Sequence, residues 1–240
     1  FVWGEMRAEM VTPASAAKPD LVALNTGEIT STNSYTDWAS FYKVINQCNT
    51  VIELAPAVLK IDESFSEKQL KEFLAEVTCI RSLMYFYLVR TFRDVPYSET
   101  ASVYDFQNFS LPKTEGKAII DKLIASLEAI ENDIPVRYYN TTASEQESAN
   151  PNKGRFKYDG WASMLADIYL WKGEYEKCVD MTTRVIESGQ YSLVPVSRVE
   201  VLSYNIESGR TDFFLLAFLF DFLFYFNNKF ILICTDKNSI

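Results

Sequence analysis

The chain has 240 residues, 48% of them hydrophobic and 23% charged, so it can bury a sizeable core and is not expected to be disordered. Its 32 acidic residues outnumber 23 basic ones, and a net charge of −9 argues against binding nucleic-acid phosphates. The sequence contains no histidine. This excludes histidine-based acid–base catalysis, Ser-His-Asp and Cys-His nucleophiles, and histidine-ligated metal sites.

The four cysteines lie far apart and form no C-x-x-C pair, so neither a zinc site nor a thioredoxin-like site is indicated. Cys48, Cys79 and Cys178 fall in apolar helical patterns, which predicts small buried thiols. We expect no metal and no cofactor.

The first 34 residues are predicted to be irregular, because Pro13, Pro19, Gly27 and the run TGEITSTNS favour loops and turns. The opening residues FVWGE have neither the basic region nor the apolar run of a signal peptide, and there is no initiating methionine. We therefore expect a fragment that lacks its own beginning and any targeting segment.

Two helices are predicted next. From Trp38, apolar residues recur at helical spacing as far as Ile52, and Pro56 is expected just past the end of that helix. Ser66 and Gln69 form a capping-box pattern at the start of a second helix that runs to about Phe92. Its apolar middle, 83–89, should lie deep in the core. The sequence Arg-Asp-Val-Pro at 93–96 ends it.

A third helix is predicted from Glu115 to about Asn132, with Thr114 as its N-cap. Its inward face should carry Ile120, Leu123, Ile124, Leu127 and Ile134. Polar, turn-rich residues 137–158 then predict a loop of about twenty residues, a length that is often functional.

A helical hairpin follows, with its turn at Lys172-Gly173 and a left-handed cap at Gly189. One apolar stripe comprises Trp161, Met164, Leu165, Ile168 and Tyr169, and the other Tyr175, Cys178, Val179, Thr182, Val185 and Ile186. The pattern YLWKGEYEKCVDM resembles a tetratricopeptide unit, which must stack on neighbouring helices. The sequence thus predicts an all-α, tetratricopeptide-like fold.

The end of the chain differs in composition. Thirteen of the fourteen residues in 213–226 are apolar, but a membrane span needs about twenty and Asp221 interrupts this run. We expect a helical domain at 1–208 and an aberrant hydrophobic segment at 209–240, such as a frameshift or truncation product. A cryptic membrane-associated segment is the alternative.

Four sequence blocks follow one another over residues 36–196. The first block is Trp38-x-x-Phe41-Tyr42-x-x-Ile45-x-x-Cys48-Asn49, and the second is EVTCIRSLMYFYLVR with Asp94-Val95-Pro96. The third is the helix block from Ile120 to its proline exit at Pro135, and the fourth is LADIYL with Gly173-x-Tyr175 and Gly189-x-Tyr191-x-Leu193. In order and spacing, the set resembles the SusD/RagB family of surface glycan-capturing lipoproteins of Bacteroidetes-type bacteria. The family usually has glycine where Arg93 stands, and its members are considerably longer.

This resemblance implies a scaffold of tetratricopeptide-like helix pairs that carries irregular, ligand-binding loops. It also implies an outward-facing lipoprotein of the outer membrane, held by a lipid anchor that this fragment lacks. Its partners would be an oligosaccharide and a SusC-like, TonB-dependent transporter. By resemblance, the protein binds its ligand without catalysis.

Saccharide binding calls for exposed aromatic rings beside hydrogen-bonding groups. Two polar loops offer both, and the candidate ligand-binding residues are Asn33, Tyr35, Trp38, Tyr138, Tyr139 and Asn140. Trp38 also fits a core position at the start of its helix. Arg81 and Arg90 are interpreted as structural, each pairing with a carboxylate or capping a helix end. The alternatives are a tetratricopeptide-like module that binds peptides and an enzyme that acts on saccharides.

Overall fold

The computed structural model describes residues 2–8, 11–103, 110–138 and 154–191. It divides into two compact units, Phe1–Asp133 and Ile134–Ile240. The described part is mainly helical, which confirms the all-α prediction. The expected domain boundary near residue 208, the hydrophobic segment and the loop residues Tyr139 and Asn140 lie outside the described residues.

The prediction of an irregular N-terminal segment is wrong in part, because helix α1 spans Pro19–Thr26. Pro19 occupies the first turn, where its fixed φ angle suits a helix and its missing N–H is not needed. A π-helical turn at Val2–Met6 precedes it. The side-chain amide of Asn25 donates to the carbonyls of Met6 and Val11, so the start of the chain is tied to α1.

Helices α2 (Ala39–Val58) and α3 (Glu67–Phe92) form the centre of the first unit. Trp38 contacts Phe92 and Tyr42 contacts Tyr85, so the two helices run antiparallel. The capping box predicted at Ser66 is present, with both reciprocal hydrogen bonds made. The predicted core of α3 is confirmed by the buried Tyr85, Phe86, Leu88 and Val89, although Tyr87 is exposed.

Pro56 was expected just past the end of α2, but it lies inside the last turn of this helix. A proline removes the hydrogen bond to the carbonyl four residues earlier, here that of Ile52. The loss is tolerated because the helix ends two residues later, where few backbone bonds remain to be made.

The end of α3 lies close in space to the start of helix α4 (Gly116–Ala129). Strand β1 (Val95–Pro96) pairs antiparallel with strand β2 (Lys113–Thr114). Thr114 is therefore in a strand, and the residue at the N-cap is Glu115 rather than Thr114, a correction to the prediction. The backbone N–H of Gly116 donates to the Asp94 carboxylate at 2.9 Å, which gives the first turn of α4 an acceptor from outside the helix.

The predicted inward face of α4 is confirmed. Its residues Ile120, Leu123, Ile124 and Leu127 are buried, as is Ile134 beyond it. Gly116 is needed at the start of this helix because a Cβ there would lie 2.6 Å from the Arg93 carbonyl oxygen. This close approach brings the end of α3 and the start of α4 together.

The second unit contains the hairpin of α5 (Tyr158–Lys172) and α6 (Tyr175–Glu187). Gly173 turns the chain with a left-handed φ of 89°. The predicted α5 stripe is fully buried. The α6 stripe is correct only in part, because Tyr175, Val179 and Ile186 are exposed. The side chains that α6 buries are Cys178, Met181 and Val185.

Cys48, Cys79 and Cys178 are free and buried, as predicted. Across the part of the chain that the structure describes, no helix has both the length and the apolar character needed to cross a bilayer.

Candidate functional site

The first predicted loop, residues 25–35, lies at the end of α1 and in the connection from α1 to α2, which spans residues 27–38. Asn33 is only 4% exposed, and its side chain holds the loop together. Its Oδ1 accepts a hydrogen bond from the Tyr35 backbone N–H at 2.9 Å, and its Nδ2 donates to the Asp20 carbonyl at 2.9 Å. Asn33 thus caps the 3-10 turn Ser34–Thr36 and ties it to α1.

The Asp20 side chain strengthens the same connection. Its carboxylate accepts from the Ser34 hydroxyl at 2.6 Å and from the Ser34 backbone N–H at 3.0 Å. These two hydrogen bonds lower the pKa of the Asp20 carboxyl, so it is ionised over the physiological range. The loop enters α2 in a fixed conformation.

Tyr35 lies within this anchored turn and Trp38 follows it by two residues, and both side chains are half-buried. The Tyr35 hydroxyl makes no hydrogen bond within the described residues. The Trp38 ring lies edge-on to Tyr42 at 5.9 Å and to Phe92 at 5.3 Å between centroids. Trp38 therefore packs on the helix pair while part of its ring remains accessible.

Trp38 belongs to a larger group of half-buried rings where α2 begins and α3 ends. The Trp3 ring stacks on Phe41 at 5.2 Å with an interplanar angle of 17°, and it meets Phe92 edge-on at 5.7 Å. We call the group the aromatic patch; it comprises Trp3, Trp38, Phe41, Tyr42 and Phe92. Partly exposed rings of this kind offer apolar faces to the C–H groups of a ligand.

The second predicted loop is described only at its edge. Tyr138 is 7% exposed, and its hydroxyl donates to the Phe156 carbonyl at 2.8 Å. The Arg155 guanidinium lies over its ring at 3.6 Å from the centroid. Tyr138 therefore stabilises the second unit rather than presenting a free ring. The structure does not place its neighbours Tyr139 and Asn140 among the described residues.

A polar face of α2 was not predicted as a functional feature. Tyr42, Asn46, Asn49 and Glu53 recur at helical spacing and all reach the backbone of residues 96–102, which we call the held segment. The Tyr42 hydroxyl donates to the Pro96 carbonyl at 2.6 Å. Asn49 donates to the carbonyls of Ser98 and Thr100 at 3.1 and 3.2 Å. The spacing of four, three and four residues was a signal that could have revealed this face.

Helix α3 holds the same segment from the other side. The Tyr85 hydroxyl donates to the Ser98 carbonyl at 2.9 Å and accepts from the Ser98 N–H at 2.8 Å. The Arg81 guanidinium is buried, donates to Asn49 Oδ1 at 3.0 Å and lies 3.5 Å from the Glu99 carboxylate. This confirms the structural interpretation of Arg81.

Burial keeps the phenol groups of Tyr42, Tyr85 and Tyr97 protonated. Burial raises the pKa of Tyr85 to about 12, and burial likewise raises the pKa of Tyr42 and Tyr97 above the ordinary value. These hydroxyls therefore remain hydrogen-bond donors at physiological pH. In the described ranges no cluster of histidine, cysteine, aspartate and glutamate side chains is arranged to hold a metal ion.

Known proteins resemble this chain in sequence and in structure. Residues 5–150 match the SusD-like model described as "Starch-binding associating with outer membrane". SusD-like protein P38 of Formosa agariphila is 25% identical over 195 residues, which cover 80% of this chain and 35% of that protein.

Solved structures of SusD-like proteins also resemble this chain. A SusD superfamily protein of Bacteroides thetaiotaomicron is 27% identical, with a TM-score of 0.65 over 78% of this chain and 45% of that chain. A laminarin-binding SusD-like protein has a TM-score of 0.58 at 23% identity, over 72% of this chain and 34% of that chain. The chain thus spans less than half the length of these relatives. The family model matches more than half of the chain, and the chain belongs to the SusD-like family.

Proposed function

We propose that this chain forms part of a protein that binds oligosaccharides at the outer surface of the bacterial outer membrane without altering them. The bound oligosaccharide passes to a SusC-like, TonB-dependent transporter, and a lipid anchor holds the protein at the membrane. The aromatic patch beside the anchored loop carries this proposal. Tyr35 and Trp38 contact the ligand, and Asn33 holds the loop that presents them.

Two features of the relatives support the proposal. The matching family model is described as starch-binding and associated with the outer membrane, and one structural neighbour is named as laminarin-binding. The chemistry of the patch agrees, because a sugar ring combines an apolar C–H face with a rim of hydroxyl groups. Half-buried rings next to an available tyrosine hydroxyl can contact both.

Isothermal titration calorimetry on the full chain tests this, with malto-oligosaccharides and laminari-oligosaccharides as probes. Tyr35→Ala and Trp38→Ala should each weaken binding about tenfold, the loss expected for one aromatic contact of about 1.4 kcal/mol. The control is Tyr87→Ala, which removes an exposed ring on α3 and should leave the affinity unchanged. Circular dichroism must show that each variant is folded.

Two further measurements test whether the protein leaves the oligosaccharide unaltered and whether it associates with a transporter. Chromatography of the oligosaccharides after incubation should show unchanged chain lengths, whereas shortened products would establish an enzyme. Purification from outer membranes should recover a TonB-dependent transporter with the protein. Absence of binding by the wild-type chain to both glycan series would contradict the proposed ligand class.

A further inference from the structure

Beyond Pro96, which ends strand β1, the held segment lies in no helix or strand and is fixed by side chains. Asn46 accepts from the Ser102 N–H at 2.6 Å and donates to its carbonyl at 3.3 Å, and Glu53 accepts from the Ala101 N–H at 3.3 Å. Together with the bonds from Tyr42, Asn49 and Tyr85, these contacts hold the backbone of five of the seven residues in the segment. A backbone held so closely loses little further freedom when a ligand binds.

The held segment presents a polar group of side chains at its surface. The Glu99 carboxylate is 50% exposed, and its Oε1 accepts from the Tyr97 hydroxyl at 3.0 Å. The buried Arg81 guanidinium, 3.5 Å from the same oxygen, fixes its orientation. The Lys122 ammonium lies 4.7 Å from the centroid of the half-buried Tyr97 ring.

This group is connected to the aromatic patch by a continuous row of rings. Tyr42 lies 5.9 Å from Trp38, Tyr85 lies 6.3 Å from Tyr42, and Tyr97 lies 4.7 Å from Tyr85. All of these rings are in the first unit. Trp38 and Tyr97 therefore lie at the two ends of one short row, with the buried Tyr85 between them.

We propose that Tyr97, Glu99 and Lys122 form a second saccharide contact, which binds the hydroxyl rim of a sugar unit in an oligosaccharide whose other end lies on Tyr35 and Trp38. The inference rests on the proposed function, since it deepens the same binding site. The carboxylate accepts hydrogen bonds from sugar hydroxyls, and the ammonium donates to them. The phenol oxygen, whose own proton is directed to Glu99, accepts a further one.

The chemistry favours this position over an ordinary surface carboxylate. Hydrogen bonds to a charged group are about twice as strong as neutral ones, provided that the group is already oriented. Arg81 supplies this orientation from the protein interior, and the clamped backbone prevents Glu99 from moving away. The oriented Glu99 carboxylate strengthens binding only when the oligosaccharide is long enough to reach it from Trp38.

The test is the dependence of affinity on ligand length, measured by calorimetry on the full chain with laminari- and malto-oligosaccharides from disaccharide to heptasaccharide. Glu99→Gln keeps an acceptor for Arg81 but removes the charge. It should weaken binding of the longest ligands about tenfold, equivalent to about 1.4 kcal/mol, and leave the disaccharides unaffected. Trp38→Ala should weaken binding at every length.

Glu53→Gln is the matched control, because it removes a carboxylate charge beside the same segment but keeps an oxygen that can accept from the Ala101 N–H, and Glu53 is not a proposed ligand contact. Its affinities should equal those of the wild type at every length. An equal loss in Glu53→Gln and Glu99→Gln would assign Glu99 a structural role and overturn the inference, as would unchanged affinity of Glu99→Gln for long ligands. If the wild type binds neither glycan series, the proposed function itself fails.

Discussion

Arg93 adopts a backbone conformation that side chains other than glycine rarely tolerate, with φ of 67° and ψ of −83°. It lies where α3 ends, and its carbonyl oxygen is the atom that Gly116 approaches so closely. The angles are near those of a strained γ-turn. The positive φ occurs where the end of α3 lies against the start of α4.

Replacing this residue should relieve the strain. Arg93→Gly is expected to raise the free energy of unfolding by about 1 kcal/mol, because glycine adopts positive φ without steric conflict. Urea denaturation followed by circular dichroism measures the change. Arg90→Gly, three residues earlier inside α3, should instead lower stability by about 1 kcal/mol. A stability of Arg93→Gly at or below the wild-type value would show that the turn is not strained.

Asp159 is a buried carboxylate in the first turn of α5. Burial raises the pKa of its carboxyl above the ordinary value of 3.8, and the charge of Lys157 only partly opposes this. The folded state therefore binds the proton more tightly than the unfolded state. The contribution of this group to stability is complete below the unfolded pKa, and it is lost as the pH rises through the folded pKa.

Asp159→Asn removes this pH-dependent contribution. We expect the variant to gain stability relative to the wild type as the pH rises from about 4 to neutrality. Thermal unfolding of both proteins across that range measures the difference. Asp180→Asn, at an exposed position on α6, is the control and should show no comparable gain. A difference between wild type and Asp159→Asn that stays constant with pH would contradict the expectation.

At the scale of elements, α2 combines two roles on different faces. Ile45 and Cys48 are buried, whereas the polar face from Tyr42 to Glu53 fixes the held segment. Asn49 connects the two roles, because it is 1% exposed and bonded both to the segment and to Arg81. A helix of the scaffold thus decides where a neighbouring loop lies.

Asn49→Ala should therefore lower the free energy of unfolding by about 3 kcal/mol. It removes three hydrogen bonds, two to backbone carbonyls and one from the buried Arg81 guanidinium, and each bond contributes about 1 kcal/mol. The neighbouring exposed Gln47→Ala should change stability by no more than about 0.5 kcal/mol. Equal unfolding midpoints in urea for the two variants would show that the bonds from Asn49 to the held segment and to Arg81 contribute little to stability.

At the scale of the whole molecule, the reactivity of the buried thiols can show whether each unit opens independently. Cys48 and Cys79 lie in the first unit and Cys178 in the second. Burial raises the pKa of all three thiols, that of Cys178 to about 11, so little reactive thiolate is present at pH 8.

We expect these three cysteines to react with iodoacetamide at least about a hundredfold more slowly in the native chain than in urea, as pKa and burial act together. Peptide mass spectrometry after timed labelling measures each rate. Rapid native labelling of Cys178 alone would mean that the α5–α6 hairpin opens independently. Rapid labelling of all three would contradict the buried core.

The candidate site was predictable only in part. The loop with Asn33, Tyr35 and Trp38 was found from composition, since polar residues and rings stand together there. The burial of Asn33 and Tyr138 was not, because a polar or aromatic side chain has the same pattern whether it binds a ligand or a neighbouring backbone. The remaining predicted ligand residues, Tyr139 and Asn140, stay predictions.

By itself, the sequence determined what depends on neighbours a few residues apart: the α2, α3, α5 and α6 helices, the capping box at Ser66 and the turn at Gly173. Hydrophobic spacing and capping are local, so they can be read along the chain. Only the tertiary structure decided which side of α6 is buried, why Arg93 takes a positive φ, and that α2 clamps residues 96–102. These outcomes depend on contacts between different elements, up to those of Asn49 with Ser98, 49 residues further along the chain, and no local pattern encodes such contacts.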